Sequence, residues 1–188
     1  HYGIDRVFEE PSTVLYYNMG ANSVQASIVT YSSYVVKEGG KNKTIGQFEV
    51  KGKSTSSLGG HEFDVKIAEL LADRFNIQWE KKKGEASGDI REFAKPMARL
   101  LAEAKKIREV LSANQEIPFK VEQLHDDVDM STKVTRTEME ELTALLFGQV
   151  TDPIDHALEM AGMTLVDINS VELLGGGVRM PKVKKILE

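Results

Sequence analysis

The 188-residue chain contains no cysteine, which excludes disulfides, thiolate metal sites and cysteine nucleophiles. Redox compartment stays open, because a secreted domain need not carry disulfides. The sequence also lacks any apolar run near the roughly 20 residues that a membrane-spanning helix requires. It has no low-complexity tract and no repeat of solenoid length. The net charge is -5, and 24 basic residues alternate with 29 acidic ones without forming a stripe, so no long-range field draws nucleic acid. Neither nucleic acid nor membrane is therefore an expected partner. The four histidines, His1, His61, His125 and His156, stand in unrelated contexts without metal-ligand spacing. The chain opens on His1-Tyr2-Gly3 with no initiator methionine and no signal peptide, so its N-terminus reads as cut and any targeting signal is expected outside it.

What is present suffices for a real core, in one domain or two tightly joined subdomains. Val14–Asn18 and Ala26–Thr30 read as strands around a small-residue turn at Met19–Ser23, a hairpin signal. Gly39 and Gly40 predict a polar loop, and Thr44–Val50 a further strand. Gly59 and Gly60 break the chain before an expected helix at Glu62–Asn76, with Phe63, Ile67, Leu70, Leu71 and Phe75 on one stripe. Glu80–Gly88 reads as a charged, flexible loop. A second amphipathic helix is expected from about Asp89 to Ser112, with Pro96 marking a kink or a restart.

Phe119–Leu124 reads as a strand, followed by Asp126, Asp127 and Asp129, which lack the glycine and distal glutamate of a helix-loop-helix calcium site and read as a solvated turn. Thr135 with Glu138 predicts a capping box ahead of Met139, Leu142, Leu145, Leu146 and Phe147. Asp152 as N-cap with Pro153 at the first helical position opens another helix. A last strand at Val171–Leu174 runs into Gly175-Gly176-Gly177, with Arg179 just beyond and a closing helix from Pro181.

That last junction is the strongest candidate site. Glycines let backbone approach a ligand closely, a helix N-terminus offers free amides to phosphate, and a planar guanidinium at Arg179 can lie against a base. A tight structural turn explains the same residues, and the spacing is neither a dinucleotide fingerprint nor a P-loop. The turn at Met19–Ser23 offers a second set of amides, and it too can be a hairpin turn without ligand. Asn42-Lys43-Thr44 matches the N-glycosylation acceptor pattern, in what reads as a Gly- and Lys-rich surface loop.

Taken in order, the hairpin with its small-residue turn, Leu58-Gly59-Gly60 with Phe63 and Asp64, Val110-Leu111-Ser112-Ala113-Asn114, and Gly175-Gly176-Gly177-Val178-Arg179-Met180-Pro181 resemble the second lobe of the nucleotide-binding domain of 70-kDa heat-shock chaperones. The resemblance covers essentially the whole chain. Asp126-Asp127-Val128-Asp129, Lys133-Val134-Thr135-Arg136 and Leu111-Ser112-Ala113-Asn114 look most like the large endoplasmic-reticulum branch of hypoxia up-regulated, or 170-kDa glucose-regulated, proteins.

This resemblance implies an α/β fold, an actin-like (ribonuclease H-like) ATPase lobe with an inserted α+β subdomain. The core subdomain would be residues 1–58 and 144–188, and the outlying one residues 59–143. ATP or ADP, with magnesium in the full protein, is the implied cofactor. Its phosphates would lie against Gly20, Ala21, Asn22 and Ser23 and near Gly60, and its adenosine between the helix bearing Arg108 and Ser112 and the turn bearing Gly175, Gly176, Gly177, Arg179 and Met180.

Departures from the family pattern weaken this. Asn18 stands for the aspartate that helps order magnesium, Lys105 for the glutamate that contacts ribose, and Glu109 for one of two base-stacking arginines. A buried ribose hydroxyl left unpaired costs about 1 to 3 kcal/mol. The family's first lobe, with its phosphate loop, lysine and magnesium-positioning acids, has no counterpart here, so this lobe is not expected to catalyse hydrolysis alone and the full protein reads at most as a weak ATPase. The implied protein is a stress-response chaperone of the endoplasmic-reticulum lumen, with the cytosol as alternative compartment. It holds unfolded clients and serves as nucleotide exchange factor for the resident 70-kDa chaperone. The alternatives are a partner-docking lobe indifferent to nucleotide and, against the Leu58-Gly59-Gly60 and Val110-Leu111-Ser112 signatures, a lobe of an actin-like sugar kinase.

Overall fold

The computed structural model describes residues 6–84 and 88–188. By its internal contacts the chain divides into two units, residues 1–57 with 150–178 (unit 1) and residues 58–149 with 179–188 (unit 2). Among the described residues no helix is long and apolar enough to cross a membrane.

Unit 1 is built on a four-stranded sheet in the order β3-β2-β1-β6. Strand β1 (Ser12–Met19) pairs antiparallel with β2 (Val24–Glu38), and β2 with β3 (Lys41–Ser56). The last strand, β6 (Ser170–Leu174), lies parallel to β1 with Asn18 opposite Leu174. Leu15, Tyr17 and Met19 on one face of β1 are all buried, and on the other face Val14 is buried while Tyr16 and Asn18 are half-buried. Tyr17 carries its phenol into that core and donates to the Val150 carbonyl at 2.9 Å.

Helix α5 (Asp152–Ala161) packs on this sheet where β3 has Gly52. A Cβ at Gly52 would sit 2.2 Å from the Ala157 carbonyl oxygen, so the close approach of helix and strand depends on that glycine. The α5 N-cap is Thr151, not Asp152 as expected; Asp152 is the first helical residue and shifts Pro153 one place inward. Gly39 and Gly40, both at positive φ, close β2–β3 as a two-residue turn instead of a loop, which places Asn42 on β3 opposite Lys37.

Unit 2 pairs two long helices with a hairpin. Helix α1 (Gly60–Lys83) continues well past the expected end at Asn76, because Trp79 is buried beside Phe75 and the lysines Lys81–Lys83 complement the negative end of the helix dipole. The expected loop at Glu80–Gly88 therefore begins only at Gly84, and residues 85–87 of it lie outside the described residues. A 3-10 turn at Ile90–Glu92, capped by Asp89, precedes α2 (Ala94–Leu111), with Pro96 in its first turn: the proline marks a restart.

Strand β4 (Glu116–His125) is followed by β5 (Val128–Thr135), a strand that sequence patterning did not suggest. Asp126 and Asp127 form the connecting turn with both φ angles positive, which aspartate tolerates better than most residues. Asp129 instead caps an irregularity in β4 by accepting from the Gln123 amide at 2.8 Å. All three aspartates thus have local backbone roles. His125 lies edge-on to the Trp79 ring, with ring centroids 4.8 Å apart, and against Phe93, a structural position.

The Thr135 hydroxyl accepts from the Glu138 amide at 3.2 Å, but Glu138 turns its carboxylate to Arg74, so only half of the expected capping box forms. The helix beyond splits into α3 (Arg136–Leu142) and α4 (Ala144–Phe147), where the buried Thr143 hydroxyl bonds back to the Met139 carbonyl at 2.7 Å. Helix α6 (Pro181–Leu187) closes the chain; Lys182 sits 5.0 Å from the Phe147 ring centroid, and Phe147 meets Phe63 edge-on.

Candidate functional site

In unit 1 the parallel pair β1 and β6 ends on one edge of the sheet, and both expected turns emerge there. Ligands of open α/β sheets are bound outside the carboxyl ends of parallel strands. The first turn is closed by the Gly20 amide donating to the Ser23 carbonyl at 2.9 Å, with Ala21 and Asn22 exposed and Ser23 half-buried. At its foot Asn18 donates to Gln25 across the hairpin at 3.5 Å.

The glycine run after β6 divides by position. Gly175 has φ of +87°, and a Cβ there would lie 2.3 Å from the Met19 carbonyl oxygen and 2.6 Å from Asn18 Oδ1. At Gly177 a Cβ would strike the buried Met19 side chain at 2.3 Å. Glycine is required at both by the protein's own packing. Gly176 differs: it is exposed, its φ is not left-handed, and nothing stands within 4 Å of an added Cβ. Gly20 resembles it, with only the Ser23 carbonyl nearby at 3.7 Å.

Unit 2 carries the remaining expected residues. Gly60 is the first residue of α1, and an added Cβ would come 3.2 Å from Arg108 Nη2. Arg108, on α2, donates from Nε to Asp64 Oδ1 at 2.6 Å and from Nη2 to Oδ2 at 3.3 Å. This fork-to-fork pair is nearly buried, its side chains 11% and 8% exposed. Ser112 caps α2 and turns its hydroxyl to the Glu109 carbonyl at 2.6 Å. Lys105, Glu109 and Arg179 are exposed, while Met180 is buried and caps α6. Through Lys182, Phe147 and Phe63, the start of α6 is tied to the start of α1 beside Asp64.

The structure thus groups Gly20–Ser23 with Gly175–Gly177 in unit 1, and Gly60 with Arg108 in unit 2. The residue sequence reasoning passed over is Asp64 as the partner of Arg108. The available signal was a carboxylate inside the apolar stripe between Phe63 and Ile67, since a buried acid requires a cation or several donors. Among the described residues no cluster of His, Cys, Asp and Glu could hold a metal ion.

The family model for Hsp70 protein matches residues 1–188. The chain belongs to the Hsp70 family. Mouse hypoxia up-regulated protein 1 is 42% identical over 190 residues, covering 99% of this chain, and the human protein of that name is 41% identical over 175 residues, covering 93%. Heat shock 70 kDa protein 17 of Arabidopsis thaliana is 39% identical over 189 residues, the whole chain. The chain spans 18%, 17% and 21% of these relatives, about a fifth of their length. Family membership carries an actin-like ATPase fold, with which the mixed α/β arrangement agrees.

Proposed function

We propose that this chain is the second lobe of the ATP-binding domain of a large heat-shock-type chaperone, with Leu58–Gln149 forming most of its outlying, inserted subdomain. Gly20, Asn22 and Ser23 would face the nucleotide phosphates, and Gly176 and Arg179 the adenosine. The observation that carries the reading is that Gly20 and Gly176 keep open backbone at the carboxyl ends of β1 and β6 although the fold itself does not demand glycine at either. Gly175 and Gly177 shape the turn that presents Gly176. The residues fit a nucleotide only in part, because Asn18 lacks the charge that magnesium-bound water favours and exposed Lys105 offers no acceptor to ribose.

Arg108 enters as a positioning residue. Asp64 fixes its guanidinium beside Gly60, which holds the start of α1 against the end of α2. Ser112 caps α2 and Met180 caps α6, both within unit 2. Magnesium ATP would bring its own chemistry; the residues of this lobe orient phosphate and base.

The relatives named hypoxia up-regulated protein 1 support a stress-response chaperone, and the resemblance supports the endoplasmic-reticulum lumen, unfolded clients and nucleotide exchange on the resident 70-kDa chaperone. Titrating ATP and ADP into the full-length protein by calorimetry tests the nucleotide reading; heat of binding to each is expected, and none at millimolar nucleotide sinks it. Asn18, Lys105 and Glu109 favour a second reading, a partner-docking lobe indifferent to nucleotide. Asn18→Asp separates the two, since it should raise ATP turnover of the full-length protein if the site is used, and leave it unchanged if it is not.

A further inference from the structure

Strand β3 is an edge of the four-stranded sheet and runs for 16 residues. A long exposed edge invites pairing with other chains unless charge or a cover blunts it. The two faces of the β2–β3 hairpin meet this hazard differently. Side chains alternate along a strand, and residues opposite one another in the register share a face. One face carries Lys41, Lys43 and Glu49 from β3 with Glu38 opposite Lys41. Lys43 pairs with Glu38 at 2.9 Å, and Lys51, at the bulge, with Glu49 at 2.6 Å.

On the other face β3 contributes Asn42, Thr44, Gly46, Phe48 and Val50, none of them charged, opposite Lys37, Val35, Ser33, Tyr31 and Val29. Phe48 is 68% exposed and Val35 60%. The segment Arg6–Phe8 lies across the middle of this face: the Phe8 amide donates to Ser33 Oγ at 2.9 Å, and its ring stacks on Tyr31 at 5.5 Å. Farther toward the tip, Val35 stays exposed. On the same side stand exposed Asn42 and Thr44, the two required members of an N-glycosylation acceptor.

We propose that Asn42 carries an N-linked glycan and that the glycan is the cover for the tip of this face, over Val35. The proposal rests on the lumenal reading above. In the transfer the Asn42 amide nitrogen attacks C1 of the first sugar of a lipid-pyrophosphate-linked oligosaccharide. The N–C bond forms, the sugar–phosphate C–O bond breaks with the electron pair leaving on the lipid pyrophosphate, and the amide proton passes to the transferase's base. The glycan adds bulky hydrophilic surface at a strand edge, beside the charge of Lys37 opposite Asn42.

The test uses the full-length protein sent through the secretory pathway of a eukaryotic cell behind an appended leader, so that acceptance of the sugar is separated from the natural compartment, which cell fractionation with the natural leader reads independently. Peptide N-glycosidase digestion and peptide mass spectrometry are expected to show Asn42 converted to aspartate. Asn42→Gln and Thr44→Ala should abolish the gel-mobility shift that this digestion causes, and Thr44→Ser should keep it. Unmodified Asn42 in the secretory-routed protein overturns the proposal. The cover role is read from aggregation: Asn42→Gln should aggregate several-fold faster than the glycosylated protein, with Val35→Lys in the same background restoring the slower rate. Equal rates with and without the glycan refute that role.

Discussion

In unit 1, Gly175 and Gly177 stand where a Cβ would strike the end of β1; in unit 2, Gly60 stands where a Cβ would press on the guanidinium of Arg108. The first contact is with backbone and a buried side chain, the second with an ion pair that is itself nearly buried. Both contacts are the protein's packing on itself. Among the candidate site glycines, Gly20 and Gly176 meet no such demand, and they are the positions at which the proposed nucleotide contact is tested.

The sharpest way to break the comparison is Asp64→Ala, which leaves Arg108 without its partner in a nearly closed site. We expect a loss of about 3 kcal/mol by denaturant unfolding, the range for stranding one member of a buried pair. A loss near zero would mean that the pair does not organise the α1–α2 junction.

Next in size is Gly175→Ala, where positive φ and a 2.3 Å clash with the Met19 carbonyl act together. About 2 to 3 kcal/mol of destabilisation is expected from overpacking and backbone strain. Hydrogen exchange should place it in the β1–β6 pair.

A pH scan separates the units by another route. Burial pushes the Tyr17 phenol up to about 12, against an ordinary value near 10. Below pH 10 the phenol is neutral in folded and unfolded chain alike, and its full contribution is present. Between pH 10 and 12 the unfolded state ionises first, so stability falls as pH rises, by about 2 to 3 kcal/mol at the upper limit. The sequence places no tyrosine in unit 2. Alkaline loosening by phenol ionisation is thus expected in unit 1 alone, and Tyr17→Phe should flatten it; equal loosening of both units would contradict this assignment.

Much of this architecture was legible in local pattern. The β1–β2 hairpin, a break of the second helix near Pro96, the strand into the glycine run and the helix from Pro181 follow from alternation and breakers. What was hidden depended on partners distant in the chain. Strand β5 reads Val-Asp-Met-Ser-Thr-Lys-Val-Thr, too polar to stand out, and becomes a strand because β4 pairs with it and Met130 and Val134 enter the unit 2 core. Helix α1 outruns its amphipathic signal because Trp79 is received by Phe93 and His125, residues from two other elements.

For the site, the glycine positions were legible but their causes were not. The collision of Gly175 with Met19, 156 residues apart in the chain, exists only once β6 lies beside β1. Arg108 was expected on the helix beside the adenosine, and only the packing of α1 on α2 brings Asp64 to it.

The most direct test is nucleotide calorimetry on the full-length protein carrying Gly176→Val. Nothing stands within 4 Å of an added Cβ at this exposed position, so the variant's stability should stay within about 0.5 kcal/mol of the parent's. The account predicts that ATP and ADP binding, present in the parent, is lost or falls by an order of magnitude or more. Unchanged affinity in a fully folded variant would contradict it, and would return the whole glycine run to the packing of the protein on itself.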